Sequence, residues 1–219
     1  MNHVDAQPSA PEPKTTSAAA HPTRERLIHA MLDGLRRKGF HGVGLTELLV
    51  QAQAPKGVLY HHFPGGKAEL AVAAIDFVVQ QITQGLDALM RKSPNPAMAL
   101  SAWMASAQKL LSTSGFERGC PLAAIALESG PEDTAIRAAL AQGFQHIRHS
   151  LQNALETAGI SPDRANSFSA LIVSAYEGAL IQARVAGSVD VMQATTAALM
   201  DLLRSHLPAA MEAQNVSRN

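Results

Sequence analysis

The chain has 219 residues, zero formal net charge and one cysteine, Cys120. That is enough for one large domain or two small ones; it excludes an internal disulfide and argues against a non-specific nucleic-acid coat, which needs a large basic excess. About half the residues are apolar and aromatics are scarce, and no apolar run reaches the roughly 18–20 residues that cross a bilayer. Abundant Ala and Leu favour helices over strands. The N-terminal residues lack a charged head followed by an apolar block, so no secretory signal is expected, and a lone cysteine fits a reducing cytoplasm.

Residues 1–22 read as a disordered tail, since Pro8, Pro11, Pro13 and Pro22 interrupt any helix and nothing repeats with an apolar period. A first helix is expected from Thr23, whose hydroxyl is placed to cap it, with Leu27, Met31 and Leu35 as its apolar stripe. Gly39 ends it after the basic run Arg36-Arg37-Lys38, which reads as solvated cations complementing a helix C-terminus. A short helix over 45–52, a turn at Gln53-Ala54 and a third helix from Pro55 to before Pro64 follow. A fourth starts near Gly66 and runs into the mid-eighties, with Leu70, Ala74, Phe77 and Val78 inward. Ser93-Pro94-Asn95-Pro96 is a break and a candidate domain boundary. Beyond it the sequence predicts a bundle with helices near 97–112, 121–128, 131–158, 162–186 and 189–206, and a frayed tail over 208–219.

Charge is unevenly placed. Residues 23–70 hold seven basic and four acidic residues, whereas from Ala71 onward there are ten basic and twelve acidic. A basic head on a slightly acidic body suits a molecule that meets phosphate at one end. Within that head, 45–62 has helix-turn-helix spacing, in which the second helix enters the major groove and the first braces it. Leu45, Leu48, Leu49, Leu59 and Phe63 are the expected inner contacts. Thr46, Lys56, Gly57, Tyr60 and His61 are left outward, a hydroxyl, an ammonium, a phenol and an imidazole able to reach phosphates and base edges, plus a glycine that lets the backbone approach closely.

The run Thr46-Glu47-Leu48-Leu49, and then Ala54 to Lys67 with its Lys-Gly-x-Leu-Tyr-His-His-Phe core, resembles the DNA-binding domain of the TetR/AcrR family of transcriptional regulators. Thr23 to Leu27 and Lys38-Gly39-Phe40 match as well, so the resemblance covers about residues 23–70. Ala-Pro-Lys-Gly followed by Pro-Gly-Gly-Lys, with Gly119 to Ala123 and Tyr176 to Arg184 further on, is similar to the LmrA/YxaF-like branch. The resemblance implies an all-α protein with a three-helix helix-turn-helix domain over 23–70 and a helical-bundle domain over 71–207 that binds a small molecule and dimerises through its last two long helices. It implies a ligand-responsive regulator, in the repressing sense, that binds a palindromic operator in double-stranded DNA as a homodimer. A small aromatic or hydrophobic inducer would release it. Carried over by position, Lys56 and Lys67 contact phosphates, Thr46 anchors the brace helix, and Gly57, Tyr60 and His61 face the groove. Tyr176, Ala179, Leu180, Arg184 and Leu199 fall in the dimer interface. Gln53 stands where a turn glycine is usual, at a cost of roughly 1 kcal/mol if its φ is positive. Pro55 replaces a capping serine and cannot cap through its side chain.

Other chemistries fit less well. Gly65-Gly66-Lys67 is not a phosphate-binding loop, because His61 and Ala68 hold the positions that need Gly and Ser or Thr. His61 and His62 are adjacent, so on a helix they point about 100° apart and cannot share a metal. Cys120 before Pro121 starts a helix, where the dipole lowers a thiol pKa, but a small buried apolar residue is the commoner case. Trp103, Met104, Phe116, Phe144, Phe168, Tyr176 and Met192 are candidates to line a ligand cavity, and at helical spacing serve equally as core. Arg184 and Glu177 read as a solvated or interface pair. No nucleophile–base set stands out, so no enzyme activity, cofactor or metal is expected. The alternative function is a helical small-molecule carrier or sensor without DNA binding.

Overall fold

A computed structural model describes residues 22–208; apart from Pro22 and Pro208, the expected tails at 1–22 and 208–219 lie outside the described residues. Among the described residues there are nine helices and no strand: α1 (Thr23–Gly42), α2 (Leu45–Gln51), α3 (Lys56–His62), α4 (Gly66–Lys92), α5 (Pro96–Thr113), α6 (Pro121–Glu128), α7 (Thr134–Thr157), α8 (Pro162–Ala186) and α9 (Asp190–Arg204).

The α1 stripe is buried as its spacing predicts: Leu27, Ile28, Met31, Leu32 and Leu35 are each at most 2% exposed. The expected Thr23 cap does not form. Pro22 is the N-cap residue, and the Thr23 hydroxyl accepts from the Arg26 guanidinium at 3.2 Å instead. Gly39 breaks α1 as expected, with φ 71° and ψ −178°, and a last turn follows it. A side chain at Gly39 would displace the Glu128 carboxylate, and the positive φ there favours glycine.

Helix α4 continues past the mid-eighties to Lys92, a rod of about 40 Å at 1.5 Å per residue. It begins in the helix-turn-helix and ends at the Ser93–Asn95 corner. There Asn95 caps α5, its Oδ1 accepting from Met98 N–H at 2.9 Å, with Pro96 in the first turn. α7 starts three residues later than expected, because the Asp133 carboxylate accepts from Gly130 N–H at 2.9 Å and closes Pro131-Glu132 into a turn. α9 is shorter than expected at both ends. α1 packs on α4 and α6, α4 on α7, α7 on α8, and α8 on α9 and, through it, α5. One apolar cluster runs from Leu27 to Leu203 without interruption. No described helix is long and apolar enough to cross a membrane.

Candidate nucleic-acid interface

Helices α2 and α3 are short and have no side-chain caps, so tertiary packing holds them. Leu48, Leu59 and Phe63 are at most 1% exposed, and Leu45 and Leu49 are half-buried against the same core. The turn between them closes α2 in a Schellman arrangement: Gln53 N–H reaches Val50 O and Ala54 N–H reaches Leu49 O, each at 3.0 Å. That geometry places Gln53 at the left-handed position, and its φ is 50°. The expected strain is therefore present, and Arg26 offsets part of it. From α1, its Nε donates to Ala52 O at 3.0 Å and its Nη2 to Gln53 O at 3.5 Å, covering the last carbonyls of α2 with a cation. Pro55 is the α3 N-cap and gives no side-chain bond, as its chemistry requires.

With the apolar sides buried, Thr46, Lys56, Gly57, Tyr60 and His61 are all exposed. A side chain at Gly57 would meet nothing within 4 Å, so neither packing nor φ demands glycine there. Tyr60 is 44% exposed, and its ring rests on Gly66, whose missing Cβ would lie 3.3 Å from the ring edge. His61 faces out, while His62 is half-buried with its ring 6.4 Å from that of Phe63. Glu47, the acid on α2, is neutralised by Lys38 at 2.7 Å.

Lys67 stands apart from this set. It is half-buried, with its ammonium 4.6 Å from the Phe40 ring centroid, and burial pulls its pKa below the usual lysine value against the opposing pull of Glu128.

The basic run at the end of α1 is not a solvated patch. Arg37 pairs with Asp33 at 3.2 Å and with Glu117. Asp33 also takes Arg118 at 2.8 Å. Arg36 is pulled below its ordinary pKa by burial and then by the Arg118 cation, and its carbonyl accepts from Gly119 N–H at 3.1 Å. Arg184 donates to Arg37 O at 3.1 Å, so it does not pair with Glu177. At the other end of α6, the Glu128 carboxylate accepts from His41 N–H at 2.8 Å. Arg36 and Arg37 thus fasten α1 to the segment that leads into α6, and His41 fastens it to the end of α6. Partners 80 to 147 residues away leave no periodic trace in sequence.

Cys120 is buried, and its thiol donates to Glu177 Oε1 at 3.1 Å. Burial pushes the thiol pKa well up and the Glu177 carboxylate adds to it, which outweighs the helix N–H groups that lower it. Burial also raises Glu177 to about 7 and Tyr176 well above the usual phenol value.

Of the candidate cavity residues, Trp103 and Tyr176 meet, with ring centroids 4.3 Å apart. Phe168 packs elsewhere, edge-on to His206 at 5.1 Å, and Phe144 is half-buried on α7. None of the four lines the cleft of about 630 Å³ between α4, the α4–α5 corner and α7. The expected dimer residues Ala179, Leu180 and Leu199 are at most 4% exposed within the single chain. Tyr176 is occupied by Trp103 and Arg184 by α1. The exposed large apolar residues of α8 are Leu171, Ile181 and Val185, the last 86% exposed.

Two family models match. Residues 27–74 match that of bacterial regulatory proteins of the tetR family. Residues 96–198 match the C-terminal domain of LmrA/YxaF-like transcriptional regulators. The chain is 29% identical over 190 residues to the uncharacterized HTH-type transcriptional regulator Rv0196 of Mycobacterium tuberculosis, covering 84% of this chain and 96% of that one. It is 26% identical over 182 residues to the HTH-type transcriptional regulator LmrA of Bacillus subtilis, covering 83% and 97%. The crystal structure of a regulatory protein TetR from Rhodobacter sphaeroides superposes with a TM-score of 0.72 at 25% identity, covering 82% of this chain and 97% of that one. These relatives are regulators, not enzymes. With the helix-turn-helix formed and the two models matching on either side of the α4–α5 corner, the chain belongs to the TetR family of transcriptional regulators, in its LmrA/YxaF-like branch.

Proposed function

We propose that the protein is a ligand-responsive repressor that binds a palindromic operator as a homodimer in the cytoplasm. The observation that carries this reading is the exposure of Thr46, Lys56, Gly57, Tyr60 and His61 on two helices whose other sides are buried. Lys56 takes phosphate, Tyr60 and His61 reach the groove, and the bare backbone at Gly57 admits the duplex. Lys67 reaches a phosphate only by leaving the Phe40 ring.

The second copy docks on α8 and α9. Leu171, Ser174, Gly178, Ile181 and Val185 recur at alternating three- and four-residue steps along the outer side of α8, the spacing of a helix–helix seam. Small exposed Ala194, Ala197 and Ala198 on α9 allow close approach beside it. A two-fold axis through this face sets two recognition helices roughly 34–36 Å apart, one turn of DNA. Because the end of α6 and the segment that leads into it are fastened to α1, a ligand that favours a displaced α6 changes that separation and lowers operator affinity.

DNase footprinting on the DNA upstream of the protein's own gene tests the reading. A protected palindrome is expected, and Tyr60→Ala weakens it by about 1–3 kcal/mol while leaving the dimer intact. No protected palindrome at moderate salt overturns the proposal.

A further inference from the structure

We propose that the cleft between the C-terminal half of α4, the α4–α5 corner and α7 binds a small amphipathic carboxylate, with Arg91 taking the carboxylate and Met90, Pro94 and Ala154 the apolar body. At about 630 Å³ the cleft falls within the size range of small-molecule sites. Its apolar residues come from all three elements, with Met90 on α4, Pro94 and buried Pro96 at the corner, and Ala154 on α7.

The charge arrangement sets the class of ligand. Arg91 and Asp87 lie four residues apart on α4, a spacing at which opposite charges commonly pair, yet they form no ion pair. Asp87 instead accepts from the Ser150 hydroxyl of α7 at 2.8 Å, which ties the two walls together. Arg91 therefore enters the cleft with no acidic partner among the described residues, and His146 and His149, which also line it, have none either. Arg91 is the one fixed cation among the lining residues and Asp87, engaged by Ser150, the one acid; over the apolar floor the guanidinium fork fits the carboxylate of a molecule with one anionic head on an apolar body. DNA phosphate is not the occupant, since the cleft lies at the end of α4 remote from the helix-turn-helix. If bound, the ligand bridges α4 to α7 at the end of the rod whose first residue, Gly66, supports Tyr60. That consequence rests on the ligand-responsive reading above; the binding itself does not.

Calorimetric titration of the full chain without DNA tests the site with three probes sharing one apolar body: octanoate, 1-octanol and octylammonium. Octanoate is expected to bind at one site per chain, at least about tenfold more tightly than octanol. Arg91→Ala, an exposed position, reduces octanoate to the octanol level and leaves octanol unchanged. Ala154→Trp fills the cleft and abolishes both; circular dichroism checks that this variant folds, and if it does not, Arg91→Ala carries the test. Octylammonium binding as tightly as octanoate, an unaffected Arg91→Ala, or no octanoate binding at millimolar concentration each overturns the proposal. Octanoate bound in the cleft with operator affinity unchanged leaves the site standing and refutes only its role as an inducer site. Operator release by some other compound with an empty cleft does the reverse.

Discussion

Arg26 reaches across from α1 to place its Nε 3.0 Å from Ala52 O, the C-cap carbonyl of the brace helix. A seven-residue helix such as α2 has little stability of its own, so its orientation depends on Leu48 beneath it and on this cation at its end. Arg26→Ala should destabilise the protein by about 1–3 kcal/mol, the range for a charge-assisted hydrogen bond, and weaken operator binding by loosening α2. Chemical denaturation with an operator titration checks this. Unchanged stability would mean that the bond contributes nothing.

Gln53 holds φ 50° where glycine is free of strain. Gln53→Gly relieves roughly 1 kcal/mol of that strain and loses about half as much to greater freedom of the unfolded chain. Stability should stay level or rise slightly, while the β-branched Gln53→Val lowers it. If glycine destabilises by more than the valine, the side chain of Gln53 has a role beyond the turn.

The order of the helices and most of their bounds could be read from the sequence, because Gly and Pro punctuate strongly periodic segments; the end of α4, at Lys92, could not. The late start of α7 arose because Pro131 looks like a first helical residue, whereas the Asp133 bond to Gly130 makes it part of a turn. The exposed set on α2 and α3 was legible for the same reason, since burying Leu48, Leu59 and Phe63 forces Thr46, Lys56 and Tyr60 outward. Arg26, Arg36 and Arg37 were not, as their partners are remote in sequence: those of Arg26 were placed by the packing of α2 on α1, those of Arg36 and Arg37 by the approach of α6 and α8 to α1. On α8 two apolar stripes interleave. Periodicity alone did not tell the inner one, with Ala179 and Leu180, from the outer one, with Ile181 and Val185.

Gly57 separates folding from binding. Its surroundings are open and its helix gains from a methyl group, so Gly57→Ala should keep or raise stability, by up to about 1 kcal/mol. Operator affinity should nonetheless fall, because the added methyl occupies space between α3 and the duplex. Thermal melting and a gel-shift titration on the same preparation check the two halves. Full operator affinity in Gly57→Ala would remove Gly57 from the interface.

Glu177 gives the protein a distinct pH dependence. Burial raises its pKa from 4.5 to about 7, so between those values the folded state holds a proton that the unfolded state has released. The stability from this group is fully present below pH 4.5, falls as pH rises toward 7, and is gone above it. Glu177→Gln cannot ionise. Its melting temperature should exceed that of the native protein at pH 8, with the gap narrowing toward pH 5. A gap constant with pH would show that Glu177 does not titrate in this window.

Val185 is 86% exposed and Leu180, five residues earlier on the same helix, is 4% exposed. That contrast separates the outer face of α8 from the inner one. If the outer face meets a second copy, Val185→Glu buries two like charges near the two-fold axis and has no counterpart cost in the single chain. The variant should elute as a folded monomer with its helical content intact. Operator affinity should then collapse, since one recognition helix alone forfeits half of the contacts. Leu180→Glu places a charge in the core of each chain and should unfold it. Light scattering after size exclusion, with circular dichroism on the same fractions, distinguishes the two. A Val185→Glu variant that remains dimeric would move the interface away from this stretch of α8, and with it the predicted spacing of the operator half-sites.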